Sequence, residues 1–427
     1  MKVKELKTLI SEMDGKAEKQ LSLVYKEPSA QRQRIVSAIE SFVSLFGEDR
    51  EVMLLSVPGR SEILGNHTDH NRGKVLAGAI DRDIIAVVSP NTDGVVNLKS
   101  EGYERDTVDL SLVEDKNAYP KYSSASLILG MAKGFLNKSY KIGGFDAYLT
   151  SDVLKGSGIS SSAAFEVMIG NIFNHLYNGG NVQNTEVAKL SRFAENEYFG
   201  KPCGLMDQMA CAVGGFVYMD FAEPASPEIL PIEFSLSDAG YELCIVNTGG
   251  NHADLNDDYA SVPAEMKSVA EICGREVLRG LSEKDIVSKA AIIREKAGDR
   301  AFLRAVHFIR ENERVEAAKA ALLERDTQRF FRYVTASGKS SFEYLQNVYT
   351  TKNVKEQGLS VALLLTEGFL ASKSGAFRVH GGGFAGTVQA YVESEAAGEY
   401  TELMEKVFGS GAVMRLGIRP LGACKLF

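Results

Sequence analysis

The stretch Lys155-Gly156-Ser157-Gly158-Ile159-Ser160-Ser161-Ser162-Ala163-Ala164 decides how the chain reads. Phe145–Thr150 before it reads as a strand, and Ser161 to about Tyr177 after it reads as a long helix. The glycines let the backbone turn so that successive N–H groups face one point, and three hydroxyls follow at the helix start. Orphan N–H groups and the positive end of the helix dipole together make an anion site. The plainer alternative is a flexible turn with a serine N-cap. The position between a strand and a helix puts the phosphate reading level with that alternative.

Two better-known loops are excluded by their spacing. A P-loop needs G-x-x-x-x-G-K-[ST]. Gly338-Lys339-Ser340 supplies its last three letters, but Tyr333 stands at the first glycine. In the serine stretch Ser161 stands where a dinucleotide fingerprint has its third glycine. A formal G-x-G-x-x-G does occur at Gly381, Gly383 and Gly386, but it leads into an expected strand, Thr387–Val392, and reads as a tight inter-strand turn.

Two other polar clusters ask for a chemical role. Pro58-Gly59-Arg60-Ser61-Glu62-Ile63-Leu64-Gly65-Asn66-His67-Thr68-Asp69-His70-Asn71 packs Arg, His, Asp and Asn into one glycine-punctuated run. Such density is not expected in a core. His67, Asp69 and His70 are a poor metal set, because no third histidine or thiol neighbours them. Hydrogen bonding to the hydroxyls of a sugar or polyol explains the mixture better, and a self-satisfied polar loop is the bland alternative. Gly200-Lys201-Pro202-Cys203-Gly204-Leu205-Met206-Asp207-Gln208 follows the helix bearing Glu195. Asp207 between two methionines needs a cation or a substrate hydroxyl if it is buried; otherwise it is a surface Asp at a helix start.

Composition bounds the class. The chain has 427 residues, enough for two or three domains, with 44% hydrophobic and 24% charged residues, a globular balance. Its 48 Lys+Arg against 56 Asp+Glu give a net charge of −8, which argues against broad nucleic-acid binding and suits a small ligand. Five cysteines without a C-x-x-C pair read as reduced thiols of a cytoplasmic protein. No secretory leader and no membrane span is expected. Forty glycines against ten prolines indicate backbone that turns or approaches something closely at several places.

Along the chain, residues 1–50 read as two amphipathic helices. Asp83–Ser89 and Val95–Lys99 read as a hairpin across Pro90, Asn91, Asp93 and Gly94. Helices are expected at Ala125–Asn137, Glu186–Tyr198, through most of 250–370, and near Glu395–Phe408. Strands are expected at Phe216–Phe221, Leu243–Asn247, Phe377–His380 and Val413–Ile418. Two interlocked α+β halves are expected to meet near residue 225, with no repeat in the sequence.

The blocks, taken together, resemble the GHMP family of small-molecule kinases, and within it the galactokinases. Pro58–Asn71 resembles the galactokinase signature, whose core reads G-R-x-N-x-I-G-E-H-T-D-Y-N-x-G. Val153–Val167 resembles the nucleotide loop P-x-G-x-G-L-S-S-S-A, Cys203–Gln208 the segment C-G-I-M-D-Q, and His380–Gly386 the third motif, G-G-G-F-G-G. Weaker similarity runs through Asn247–Tyr259 and Arg304–Ala318, and the match spans roughly residues 50–427 in one order. The resemblance implies an α+β, two-domain GHMP kinase fold. An N-terminal helical extension (1–50) would precede a ribosomal-protein-S5-like domain with sugar signature and ATP loop (51–225) and a ferredoxin-like domain (226–427).

The resemblance also implies roles. Gly156, Ser157, Gly158, Ser160, Ser161 and Ser162 would bind ATP phosphates, with Ser162 and Glu195 holding Mg²⁺. Asp207 would accept or orient the anomeric hydroxyl, and Arg60 would keep Asp207 ionised and stabilise charge on the phosphoryl group. Asn66, His67, Asp69, Gly204 and Tyr259 would line the sugar pocket. The implied reaction is ATP-dependent phosphorylation of galactose at C1.

The departures bear on the sugar. Asn66 stands where the signature has Glu, Ser61-Glu62 replaces a Val-Asn pair, His70 replaces Tyr, and Ala385 replaces a Gly. A kinase for N-acetylgalactosamine, arabinose or a uronic acid is therefore one alternative. A non-catalytic galactose and ATP sensor is another, which the intact Ser160–Ser162 and Asp207 disfavour. A mevalonate or homoserine kinase fits the polar H-T-D segment poorly. The expected partners are a sugar and ATP, not nucleic acid or membrane.

Overall fold

The computed structural model describes residues 1–153, 159–250 and 255–427. The first 50 residues form three helices rather than the expected two: α1 (Val3–Glu12), α2 (Gly15–Leu21) and α3 (Pro28–Phe46). The extra break has a local cause. The Asp14 carboxylate accepts from the N–H groups of Lys16 and Ala17, so a new helix is capped there. Pro28 then opens α3 at a position where its missing N–H costs nothing.

The next segment carries β1 (Met53–Leu64), β2 (Lys74–Pro90), β3 (Val95–Ser100), β4 (Arg105–Asp109), α4 (Ser124–Asn137) and β5 (Phe145–Ser151). Then come α5 (Ser161–Tyr177), α6 (Asn184–Ala194) with a π-turn at Glu195–Phe199, α7 (Met206–Val213), β6 (Phe216–Asp220) and β7 (Glu228–Ile232). Beyond these lie β8 (Tyr241–Asn247), α8 (Asn256–Ile272), α9 (Glu283–Ser288), α10 (Ala290–Lys296), α11 (Asp299–Leu323) and α12 (Thr327–Ser340). The chain closes with α13 (Gly358–Leu370), β9 (Gly375–His380), β10 (Thr387–Glu393), α14 (Ala397–Phe408), β11 (Val413–Leu416) and β12 (Cys424–Lys425).

One mixed sheet has the order β12-β1-β2-β5-β3-β4, with β6 pairing to the first half of β2 and β7 to β6. It therefore continues past residue 225 and takes back the C-terminal strand. The expected hairpin between β2 and β3 does not form. β5 lies between them, antiparallel to β2 and parallel to β3, and β3 makes its hairpin with β4. Turn residues mark where a strand ends but not which strand it pairs with, and the more apolar β5 takes the central place.

A second, antiparallel sheet has the order β11-β8-β10-β9. The glycine run at 381–386 is the expected tight connection between β9 and β10, whose His380 and Thr387 face each other.

Alternation along β1 and β2 divides the core. Leu54, Ile85 and Val87 face α1 and α3, whereas Leu55, Val57, Ala86 and Val88 face the layer that contains α5 and α7. The extension thus covers the back of the sheet, and β1 and β2 are buried on both faces. That also corrects one expectation. Pro58 to Glu62 are not a surface loop; all five are buried inside β1.

Candidate active site

β1 and β2 slip register between Pro58 and Arg60. Proline has no N–H for the ladder, and a bulge there turns the following side chain. Gly59 is required at this point, because a Cβ would lie 2.8 Å from the carbonyl oxygen of Ile159. The Arg60 N–H donates to that same carbonyl (3.2 Å), so the sugar-signature strand is fastened to the end of the serine loop.

Arg60 then meets Asp207 in the first turn of α7. Its Nε donates to Oδ1 (2.7 Å) and its Nη2 to Oδ2 (2.6 Å), a planar two-bond pair. Ser160 adopts a left-handed backbone (φ 55°) ahead of α5 and donates its hydroxyl to Asp207 Oδ2 instead of capping the helix. Burial pushes the Asp207 carboxyl up, but the charge and hydrogen bonds of Arg60, with the Ser160 hydroxyl, outweigh it and leave the group below its usual range. The Asp207 side chain keeps 32% exposure against 10% for Arg60, so the carboxylate is the member of the pair that a ligand can reach.

Asp207 borders a cavity of about 170 Å³ with Ser162, Glu195, Lys201, Gly204 and Asp69. Glu195 is almost fully buried, and its neighbour Glu166 is completely so. Gln208 Nε2 donates to both, to Glu166 Oε2 (3.1 Å) and to Glu195 Oε2 (2.8 Å). Glu166 Oε1 has no hydrogen-bond partner among the described residues. Burial, then the charge of Glu195, pushes the Glu166 carboxyl well above its ordinary value. Two buried carboxyl groups, one with an orphaned oxygen and the other 3.5 Å from Lys201 Nζ, stand beside the Ser162 hydroxyl as a hard oxygen set. Magnesium fits that set. Among the described residues no group of three or more His, Cys, Asp or Glu side chains is placed to hold a metal alone.

A second cavity of about 130 Å³ shares Asp69 and Met206 with the first and is also bordered by Glu62, Asn66, His67, His70 and Gly382. Glu311 of α11 accepts from the Gly65 N–H (3.0 Å), and His307 Nε2 lies 3.0 Å from the Asn66 carbonyl, so α11 holds this loop from behind. His67 Nε2 contacts the Gly382 carbonyl at 2.9 Å. Tyr259 reaches the site indirectly: its hydroxyl donates to the Gly383 carbonyl (2.8 Å) and its ring lies on Gly382. The structure thus brings together Arg60, Asn66, His67, Asp69, Ser160, Ser162, Glu195, Gly204 and Asp207. Ser161 begins α5 beside Ser160 and Ser162. Gly156, Ser157 and Gly158, expected at the phosphates, lie outside the described residues.

Comparison with known proteins fixes the lineage. The GHMP kinases N terminal domain profile matches residues 126–215, and the galactokinase galactose-binding signature matches 40–90. A galactokinase of Streptomyces coelicolor is 31% identical over 386 residues, covering 88% of this chain and 93% of that protein. The chain belongs to the galactokinase family of GHMP kinases. A galactokinase of Clostridium tetani is 30% identical over 359 residues, covering 83% of this chain and 87% of its own. The fold agrees: Lactococcus lactis galactokinase, solved with galactose, superposes with a TM-score of 0.76 at 24% identity, covering 91% of this chain and 99% of that one. Methanococcus jannaschii mevalonate kinase superposes with a TM-score of 0.60 at 15% identity over 86% of this chain and 98% of its own. This galactokinase-family chain is accordingly a phosphotransferase with the GHMP kinase fold, and GHMP kinases use ATP as substrate.

Several residues of this galactokinase-family site carry little signal in the sequence. Glu62 reads there only as a departure from the signature, although it stands two residues from Arg60 on the same strand. Glu166 is one helical turn beyond Ser162, a spacing that puts both on one face of α5. Glu311 and His307 carry no local signal, because they act from a helix more than 240 residues away in the chain.

Proposed function

We propose that the chain transfers the γ-phosphoryl group of ATP to the C1 hydroxyl of galactose. The observation that carries this reading is the convergence of Arg60, Ser160 and Asp207 at one reachable carboxylate. It joins the sugar-signature strand, the end of the serine loop and α7 at a single point. The α5 N-terminus offers its free N–H groups and dipole to the phosphates. Ser162, Glu195 and Glu166 would hold Mg²⁺, which supplies neutralisation of phosphate charge when bound.

Asp207 is held as a carboxylate, so it accepts the hydrogen bond of the C1 hydroxyl and aims that oxygen at phosphorus. A weakly basic carboxylate suffices, because phosphoryl transfer is loose and little proton removal is needed before the bond to phosphorus forms. Arg60 offsets the Asp207 charge and faces the transferring group from the same side. His67, Asp69 and Gly204 border the space for the sugar, with Asn66 in the wall behind. The test is the product. With galactose and ATP, the sugar phosphate formed should lack a reducing end, as a C1 ester must. A product that still reduces, or a galactose reaction that releases no ADP, overturns the reading.

A further inference from the structure

Glu62 and Asn66 fall where the signature core that Pro58–Asn71 resembles reads Asn and Glu. The chain keeps one carboxylate and one amide there but reverses their order. The structure shows the two side chains in direct contact, with Asn66 Nδ2 donating to Glu62 Oε1 (2.9 Å). The second hydrogen of that amide goes to the Gly381 carbonyl (2.7 Å), and Oδ1 accepts from Asn347 Nδ2 (2.7 Å) and the Ser341 hydroxyl (3.4 Å). Asn66 is fully buried and has no donor left for a ligand.

Glu62 is placed differently. Ser61 turns to the other side of β1, toward His380 Nε2 at 3.0 Å, so Arg60 and Glu62 share the face that looks into the site. Beneath Glu62 the fully buried Arg378 places Nη2 at 3.5 Å from Oε1, its nearest charge partner. The Glu62 side chain keeps 10% of its surface open, on the cavity that His67, Asp69 and Gly382 also border. Among the described residues Oε1 takes both contacts and Oε2 takes none, leaving an acceptor for a hydroxyl group.

We propose that Glu62, supplied from β1, is the carboxylate that accepts a hydrogen bond from a sugar hydroxyl, and that Asn66 is a positioning residue that holds it. This rests on the sugar-kinase reading. The hydroxyl concerned is not the one that faces Asp207, because Glu62 and Asp207 border neighbouring cavities. The exchange therefore keeps a carboxyl group at this cavity while moving its backbone origin by four residues. It would be a determinant of which hexose fits.

The experiment compares kcat/KM for galactose with its 2-, 3-, 4- and 6-deoxy derivatives, in the wild type and in Glu62→Gln. The wild type should reject one deoxy sugar, other than through the C1 hydroxyl, by about 10-fold or more, the size of a charge-assisted hydrogen bond. Glu62→Gln, nearly isosteric, should raise the galactose KM by about 10- to 100-fold, leave kcat within about threefold, and erase discrimination against that one sugar. Glu62→Asn and Asn66→Glu should each raise KM, and the double exchange should recover most of the loss, an interaction that independent structural damage does not produce. A Glu62→Gln variant that discriminates as the wild type does, or a double exchange no better than the sum of its parts, overturns the proposal. A wild type that turns over no sugar contradicts the kinase reading instead.

Discussion

Arg60 and Asp207 form the part of the site most sensitive to a change of single atoms. Their two parallel hydrogen bonds need a planar fork, which a lysine cannot supply. Arg60→Lys should therefore lower kcat by about 10²-fold or more, as for loss of a donor aimed at developing charge, read in an ADP-release assay. Asp207→Asn keeps the shape but removes the charge. It should lower kcat by about 10²- to 10⁴-fold while sugar affinity, read by calorimetry, stays within a few-fold. An unchanged kcat removes Asp207 from the chemistry. Both residues were legible in the sequence because each sits in a short motif of its own. Glu62 was not, because a carboxylate at that position gains meaning only when Asn66, four residues on, is seen to hold it.

Elements explain what the first 50 residues do. Asp83 on β2 is fully buried beside the β1 bulge. It accepts from Tyr25 (2.6 Å) and Arg34 (2.8 Å) of the extension, from Arg419 near the C-terminus (3.1 Å) and from the Ser56 hydroxyl. Arg34 also lies 2.9 Å from Asp152, at the stem of the serine loop. The extension is thus tied by charge to β2, where Asp83 lies opposite Pro58 of the strand that carries Arg60, and to the stem of the serine loop. Arg34→Ala removes one partner of a buried ion pair and should cost about 3 kcal/mol of stability, read by urea unfolding. A cost below about 0.5 kcal/mol would mean that the ion pair does not hold the extension.

Burial on both faces also explains why the polar density of Pro58–Glu62 pointed away from the core. A strand covered by helices on one side and by the extension on the other shows no polar alternation, and its polar residues are there to reach partners such as Asp207 and His380. Helices with a wet face and a dry face, such as α6 and α11, were legible over most of their length. The pairing of β5 between β2 and β3 was not, because it is set by contacts distant in the chain.

Across the whole molecule the second sheet and α11 close over the signature strand, and two neutral histidines lie in that junction. His307 contacts the Asn66 carbonyl and the Ser340 hydroxyl; His380 contacts Ser61 and Thr387. Burial lowers His307 to about 4, and His380, next to Arg60 and Arg378, to about 3. Both are neutral in the folded and unfolded chain above about pH 6.5, so stability is complete there. Below it the unfolded chain takes up protons that the folded chain cannot. Stability should fall by on the order of 2 kcal/mol per histidine between pH 7 and pH 5. Glu311, lowered to about 2 against the cost of burial by Arg314 and His307, extends the loss to more acid pH. Urea midpoints that are flat from pH 7 to pH 5 would contradict this.

A galactose kinase built on the Arg60–Asp207 pair can be tested in one assay. ADP release is measured with ATP, magnesium and a panel of galactose, N-acetylgalactosamine, glucose, arabinose and galacturonate, for the wild type and Asp207→Asn. The highest kcat/KM is expected on galactose, with its near-complete loss in the variant. Turnover of another panel sugar above galactose, or sugar binding with no ADP release, would contradict it.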